Sequence, residues 1–381
     1  MSGFIDADTH VLETDASWDY LDPTERDLRP KTIEFQDEVH SGYEQMRAFG
    51  GRSKQMWIID DNVSRRHPGD GRASGFGKEY QAEAMFLTDP SVRLRDMDEL
   101  GVDKQIVIST FFIGAELERP ITEAALTRSW NRWMADRVAD SGGRLNWLVV
   151  PGTRTMERAL QEIEFGRANG AVGVMLKGVE HGMYLNDPYF YPLYAKAQEL
   201  DMTIGVHLGF AWRRADVRDI SNLLPTPPAY VDNLAALMKG FYAVLASDLH
   251  TRFPRLRWVF LEGGSTWVQM IFQQHQRLIS TSKPGSFVNS GNRTSVTIDP
   301  LDTAELMAEK KMYVACEVDE EIARIASITG RSQLIFGTDY GHNDVGCDPT
   351  GLELVTKRED LDADLAQAIV RDNALAAFAL H

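Results

Sequence analysis

A (β/α)8 barrel is the fold class predicted for this 381-residue chain, on three observations. Eight short apolar runs rich in Val and Ile recur along it, and most are followed by an amphipathic stretch of helical length. Several of the runs also lack the in-and-out alternation of a half-exposed strand, as strands covered on both faces do. The runs lie near residues 4–8, 104–109, 145–150, 171–176, 203–207, 257–261, 311–315 and 333–337. Eight such units favour closure into a barrel, with a doubly wound open sheet as the alternative.

The first run, Phe4-Ile5-Asp6-Ala7-Asp8, follows Met1-Ser2-Gly3 directly, without the basic and apolar segments of a targeting peptide, so a cytoplasmic location is expected. Residues 11–95 do not fit the repeat. With Trp18, Tyr20 and Trp57 they read as loop, long enough for a lid or small subdomain inserted in one barrel domain spanning 1–381. The helix after the third run begins near Met156, carries Leu160 and Ile163 at helical spacing, and ends at Asn169-Gly170, a left-handed C-cap signal. Asp187-Pro188 opens the next helix, with Asp187 as N-cap and Leu193, Ala197 and Leu200 on one face. Residues 209–230, with the cluster Leu224-Pro225-Thr226-Pro227-Pro228, and residues 281–300, rich in Ser, Gly and Asn, read as loops. In barrels of this kind the strand-to-helix loops build the active-site face.

Composition narrows the function. A hydrophobic content of 43%, 25% charged residues and no long apolar stretch describe a soluble globular chain with nothing to span a bilayer. The net charge of −16 argues against nucleic acid, whose binding draws on clustered Lys and Arg. The two cysteines, Cys316 and Cys347, cannot form the disulfide framework of a small secreted fold, and reduced thiols are expected.

Polar groups gather at the ends of the predicted strands. Asp8 and His10 stand at i and i+2, on one strand face, where both can reach a single ion. His207 ends the fifth run, Glu262 the sixth and Asp339 the eighth. Each residue alone has an ordinary explanation: Asp8 can cap a turn, His207 can be a satisfied core histidine, Asp339 can bond loop amides. Glu262 can accept from Gly263 and Gly264 or cap the following helix, for which Ser265 and Thr266 are also available. Recurrence on strands one, five, six and eight at one rim is what chance does not supply. Mixed imidazole and carboxylate donors suit zinc, manganese or iron, and a catalytic role for the ion.

At these residues the chain resembles the amidohydrolase-related branch of the amidohydrolase superfamily, which includes the aminocarboxymuconate semialdehyde and resorcylate decarboxylases. The segments IDADTHVLE, GVHLGF, LEGGSTW and FGTDYGHND carry the likeness. It implies a metal-bearing barrel in which Asp8, His10, His207 and Asp339 are ligands, Asp339 doubling as proton acceptor, in a dimer or higher oligomer. Two departures add negative charge: Asp8-x-His10 stands where many members have His-x-His, and Glu262 where many have His. An extra carboxylate favours a harder or second cation, with Glu13, Glu262 and His342 as further candidate ligands of a dinuclear site; one divalent ion is the leading expectation.

The leading functional expectation is a hydrolase or decarboxylase of a small carboxylate or cyclic substrate, with Asp339 and Glu262 handling protons. The alternative is a dinuclear iron or manganese-iron oxygenase hydroxylating a small carboxylic acid, and a third is a non-catalytic subunit paired with an active paralogue. Arg213 with Trp212 is the candidate clamp for a substrate carboxylate. Lys177, at the end of the fourth run, is a candidate for substrate contact, for metal bridging after modification, or more simply for an ion pair with Glu262 or Asp339. His181 and Glu317, just past strand ends, are candidate pocket residues.

Overall fold

Each apolar run forms a strand in the computed structural model, which describes residues 3–34, 55–60, 62–65, 73–75, 78–115, 117–209, 227–281, 301–342 and 348–380. The strands are β1 (Phe4–Val11), β2 (Val102–Ser109), β3 (Leu145–Val149), β4 (Ala171–Lys177), β5 (Thr203–His207), β6 (Trp258–Leu261), β7 (Met312–Cys316) and β8 (Leu334–Phe336). They pair in parallel and in chain order, β1 to β8. A doubly wound sheet would reverse direction at its first strand, so that alternative falls.

Closure runs through the ends of β1 and β8. Thr9 forms a parallel bridge with Tyr340, His10 N–H donates to Tyr340 O at 2.6 Å, and Asp339 N–H donates to Asp8 O at 3.0 Å. Glycine is required for this approach. A Cβ at Gly337 would stand 2.3 Å from Asp8 Cβ, and one at Gly341, where φ is +110°, would stand 2.4 Å from His10 O. The two segments richest in candidate ligands are thereby pressed together.

Helices cover the outside: α1 (Pro90–Leu100), α2 (Pro120–Val138), α3 (Met156–Ala168), α4 (Tyr191–Glu199), α5 (Pro227–Leu245), α6 (Trp267–Thr281) and α7 (Ile322–Thr329). α3 buries Ile163 and ends before Gly170, at φ +86°. Asp187 accepts from Tyr189 N–H at the head of a short 3-10 turn, Pro188–Phe190, that leads into α4; Leu193 and Ala197 are buried. Three short helical segments, Ala363–Gln367, Ala368–Asp372 and Asn373–Ala377, run end to end beneath the barrel. There Ala377 O accepts from Thr203 Oγ1 at 2.6 Å and from Arg257 Nε at 3.0 Å, while Asn373 Nδ2 donates to Leu334 O at 2.7 Å. The floor is latched to the N-terminal ends of β5, β6 and β8, which leaves the opposite rim for chemistry.

The described parts of 11–95 correct the reading of that segment as loop. Lys31–Glu34, Gln55–Ile59 and Asn62–Arg65 form an antiparallel sheet, and Ala73–Gly75 pairs with Lys78–Tyr80. Its strands are only three to five residues long, below the length at which a periodic pattern is legible. Trp57 is buried edge-on against Trp18 at 5.4 Å, and Trp18 against Phe111 at 5.2 Å, so this sheet is anchored beside the segment that follows β2. No helix among the described residues is long and apolar enough to cross a membrane.

Candidate metal centre

Asp8 and His10 lie at the exit of β1, past an irregularity that sets Asp6 opposite Gln105 but Thr9 opposite Val107. Such a bulge re-aims the side chains beyond it. His207 ends β5, Glu262 follows β6, and Asp339 follows β8 by three residues. Glu262 and Asp339 both hold positive φ, 61° and 52°. For residues with a Cβ this conformation costs on the order of 1–3 kcal/mol and persists where surrounding contacts impose it.

These side chains meet around His10 Nε2. It lies 3.1 Å from His207 Nε2, 3.3 Å from Asp339 Oδ1 and 3.4 Å from Asp8 Oδ1. His207 Nε2 is in turn 3.5 Å from Asp8 Oδ1 and 3.4 Å from Glu262 Oε2. Two donors bound at about 2.1 Å to one ion, at angles between tetrahedral and octahedral, stand about 3.0–3.4 Å apart. Among the described residues, buried Asp8 Oδ1 accepts no hydrogen bond of ordinary length, the nearest nitrogens being those of His10 and His207 at 3.4 and 3.5 Å. A fully buried carboxylate oxygen left without a donor is costly unless a cation faces it, so the residues present fit a divalent ion. Asp8, His10 and His207 form one group able to hold an ion, and His10, Asp339 and His342 another.

Electrostatics and the surrounding bonds suit this use. Burial, with the charges of His342 and His207, holds His10 well below the ordinary imidazole range, so it is a neutral donor. Burial pushes the Asp8 carboxyl up, but the neighbouring imidazoles, His207 first, outweigh it and keep the group ionised. His207 Nδ1 lies 2.6 Å from Leu208 O, to which it donates; burial pushes this imidazole down, but Asp8 and Glu262 outweigh it and raise it, and a bound ion would take the place of the proton on Nε2. His10 and His342 stack at 3.6 Å, and Thr110 Oγ1 sits between them, 3.3 Å from His10 Nδ1 and 3.1 Å from His342 Nε2. His342 Nδ1 is 2.8 Å from Asp339 Oδ1.

Other expected residues lie elsewhere. Glu13 is in neither group: Oε1 accepts from Ser109 Oγ at 2.5 Å and Oε2 from Phe111 N–H at 2.8 Å, tying β1 to the turn after β2. Lys177 forms no ion pair with Glu262 or Asp339 among the described residues; its Nζ points to Ala115 O at 3.4 Å. The reason is reach along the rim, since the chain after β2 passes closer to it. His181 packs between Glu123 and Thr153, with Nε2 3.2 Å from Glu123 Oε1 and 2.9 Å from Thr153 Oγ1. Glu317 donates its N–H to Glu320 Oε2 at 3.0 Å. Just ahead of α6, Glu320 accepts from the amides of Ser265 and Thr266. Trp212 and Arg213 lie outside the described residues. Thr110 and Arg93 were not apparent from spacing; the only signal was Ser109-Thr110 at the end of the second run, a polar pair at the same rim.

An eight-stranded parallel barrel with imidazoles and carboxylates converging at its C-terminal mouth defines the class of metal-dependent barrel enzymes. The amidohydrolase family model matches residues 5–380, and the chain belongs to that family. A 2-amino-3-carboxymuconate-6-semialdehyde decarboxylase of Dictyostelium discoideum is 18% identical over 267 residues, covering 69% of this chain and 70% of its own. An amidohydrolase from Mycobacterium avium subsp. paratuberculosis K-10 shares the fold with a TM-score of 0.75 at 18% identity, covering 99% of this chain and 97% of that one. A 5-carboxyvanillate decarboxylase of Novosphingobium aromaticivorans, solved with manganese and 4-hydroxy-3-methoxy-5-nitrobenzoic acid, aligns with a TM-score of 0.62 at 16% identity over 100% of this chain and 97% of that one.

Proposed function

We propose that this chain is a metal-dependent decarboxylase of a small carboxylic acid, working with one divalent ion held by Asp8, His10, His207 and Asp339. The convergence of three of these groups within 3.1–3.4 Å of His10 Nε2 carries the reading. The decarboxylases among its relatives support this reaction over hydrolysis, and the manganese of a structural neighbour makes that metal the first to test.

The ion, when bound, supplies Lewis-acid stabilisation of negative charge on substrate oxygens. The chain supplies the rest. Asp339 stands between His10 and His342 and is the group to take up the acidic proton of the substrate and return it to the carbon that loses its carboxyl. The carbon-carbon bond breaks with its electron pair retained by that carbon, the proton fills the position, and carbon dioxide leaves. Glu262, beside His207 across the cluster, is the second carboxylate within reach. With Nε2 of His10 committed to the ion, its Nδ1–H donates to Thr110 Oγ1. The single hydroxyl hydrogen of Thr110 then goes to His342 Nε2, and His342 Nδ1–H faces Asp339. This relay fixes each tautomer and orients Asp339.

A second reading, a dinuclear oxygenase, draws on the group His10, Asp339 and His342. The Thr110 relay weighs against it because it leaves the proton of His342 on Nδ1, the nitrogen that faces Asp339. Metal analysis together with release of labelled carbon dioxide from a panel of carboxylic acids tests both. One ion per chain and carbon dioxide release are expected; two iron or manganese ions with substrate-dependent dioxygen uptake would replace the decarboxylase reading.

A further inference from the structure

The rim formed by β2, β3 and β4 carries a cavity beside the metal centre's strands. It holds about 40 Å³, against the roughly 10–15 Å³ that one water needs, and its walls include Phe112, Ala115, Thr127, Thr153, Met175 and Lys177. Lys177 is the last residue of β4 and the register partner of His207 on β5, so the two side chains leave adjacent strands on the same face. Its carbon stem passes 3.3 Å from where a Cβ on Gly209 would stand, and the residue is only 6% exposed.

The ammonium of Lys177 has three donors and, among the described residues, one hydrogen bond, the 3.4 Å contact with Ala115 O. Two carboxylates share the cavity wall, but both are turned to other donors. Glu180 Oε1 accepts from the backbone N–H of Lys177 at 2.6 Å, and its Oε2 faces His181 Nε2 at 4.0 Å. Glu123 Oε2 accepts from Arg154 N–H at 2.7 Å, and its Oε1 faces His181 Nε2 at 3.2 Å. A cation nine-tenths buried, short of acceptors and set beside a cavity several times the size of a water has the chemistry of an anion subsite. We propose that this cavity receives a second carboxylate of the substrate, bound by Lys177 while the first lies at the ion. The inference rests on the decarboxylase reading and narrows its substrates to dicarboxylic acids.

Binding to manganese-loaded protein tests it, with benzoate and the three benzenedicarboxylates as probes. The best dicarboxylate should bind wild type about tenfold or more tighter than benzoate, and Lys177→Met should collapse that ratio to about threefold or less at unchanged metal content. A small ratio in wild type, binding of neither probe, or a ratio that survives Lys177→Met overturns the subsite. If Lys177→Met does not fold, Lys177→Gln takes its place, and bromide soaked into wild-type crystals gives an independent measurement. Bromide within about 3.5 Å of Nζ is expected, and a site holding only water overturns the proposal. Carbon dioxide release is measured separately, so a decarboxylase that prefers monocarboxylates would sink the subsite alone, whereas binding without any release would sink the reaction.

Discussion

The guanidinium of Arg93 donates from Nη1 to the backbone carbonyl of His10 at 2.7 Å. Its Nε donates to Gln105 Oε1, also at 2.7 Å, and its face lies 4.7 Å over the ring of Tyr340. One fully buried side chain from α1 thereby holds the end of β1, which bears Asp8 and His10, against the loop that bears Asp339 and His342. Tyr340 is pinned in turn by its hydroxyl, which donates to Asp96 Oδ2 at 2.6 Å.

Arg93→Met should therefore weaken manganese binding by on the order of 10–100-fold, the range typical for groups that orient ligands. Arg93→Lys, which keeps a cation able to reach His10 O, should recover part of the loss. Chelator competition reads the affinity, and melting of the metal-free protein reads the fold. A lower melting temperature with unchanged affinity would reduce Arg93 to a packing residue.

Much of this was legible in the sequence because the barrel repeats a simple pattern and its candidate ligands sit at strand ends. Eight apolar runs mark the eight strands to within a few residues, and Asp8, His10, His207 and Asp339 could be singled out by position alone. What escaped was contact across long sequence separation. Thr110 touches His342, and Glu320 reaches back to Ser265; no local periodicity encodes either pairing. Glu13 looked like a ligand because it is close to His10 in the chain, yet β1 ends at Val11 and the turn carries it to Ser109. The contact of Lys177 with Ala115 O, in place of the ion pair weighed for it with Glu262 or Asp339, escaped for a related reason: strand order is readable, but the path of the chain after β2 is not.

Asp339 and Glu262 should separate under mutation. Asp339→Asn removes the group facing both His10 and His342, and carbon dioxide release should fall by about 100-fold or more, in the range of a lost acid-base group. Glu262→Gln, at the far side of His207, should lower the rate less. Rates measured at equal metal occupancy decide it, and equal losses in the two variants would argue that Asp339 has no special part in proton delivery.

Asp6 gives the fold a pH dependence of unusual sign. Burial pushes its carboxyl up to about 7, although Thr338 donates to it from N–H at 2.8 Å and from Oγ1 at 2.7 Å. A carboxyl that binds its proton more tightly folded than unfolded favours the fold at low pH, and that contribution is lost as pH rises from about 4 to 7. The penalty above pH 7 is on the order of 4 kcal/mol. Asp6→Asn, whose amide can donate to a rotated Thr338 hydroxyl, escapes it. The stability difference between variant and wild type, from urea unfolding, should move in favour of the variant as pH rises through this window. A difference independent of pH would contradict the assignment.

Glu320 is a structural support reached from outside the site. Its carboxylate accepts from Ser265 N–H and Oγ at 2.7 and 2.6 Å, from Thr266 N–H and Oγ1 at 2.6 and 2.5 Å, and from Glu317 N–H at 3.0 Å. It thus holds the turn in which Glu262, Gly263 and Gly264 take positive φ in succession, at 61°, 77° and 66°. Glu320→Ala leaves several donors without their acceptor and should cost about 2–4 kcal/mol of stability. It should also slow catalysis while leaving manganese affinity nearly unchanged, because Asp8, His10, His207 and Asp339 are carried by other elements. Glu320→Gln keeps one acceptor oxygen and should fall between wild type and Glu320→Ala on both measures. Urea unfolding and rates at saturating metal test the two halves separately; a variant that loses stability but turns over normally would show that the 262–264 turn keeps its shape without Glu320.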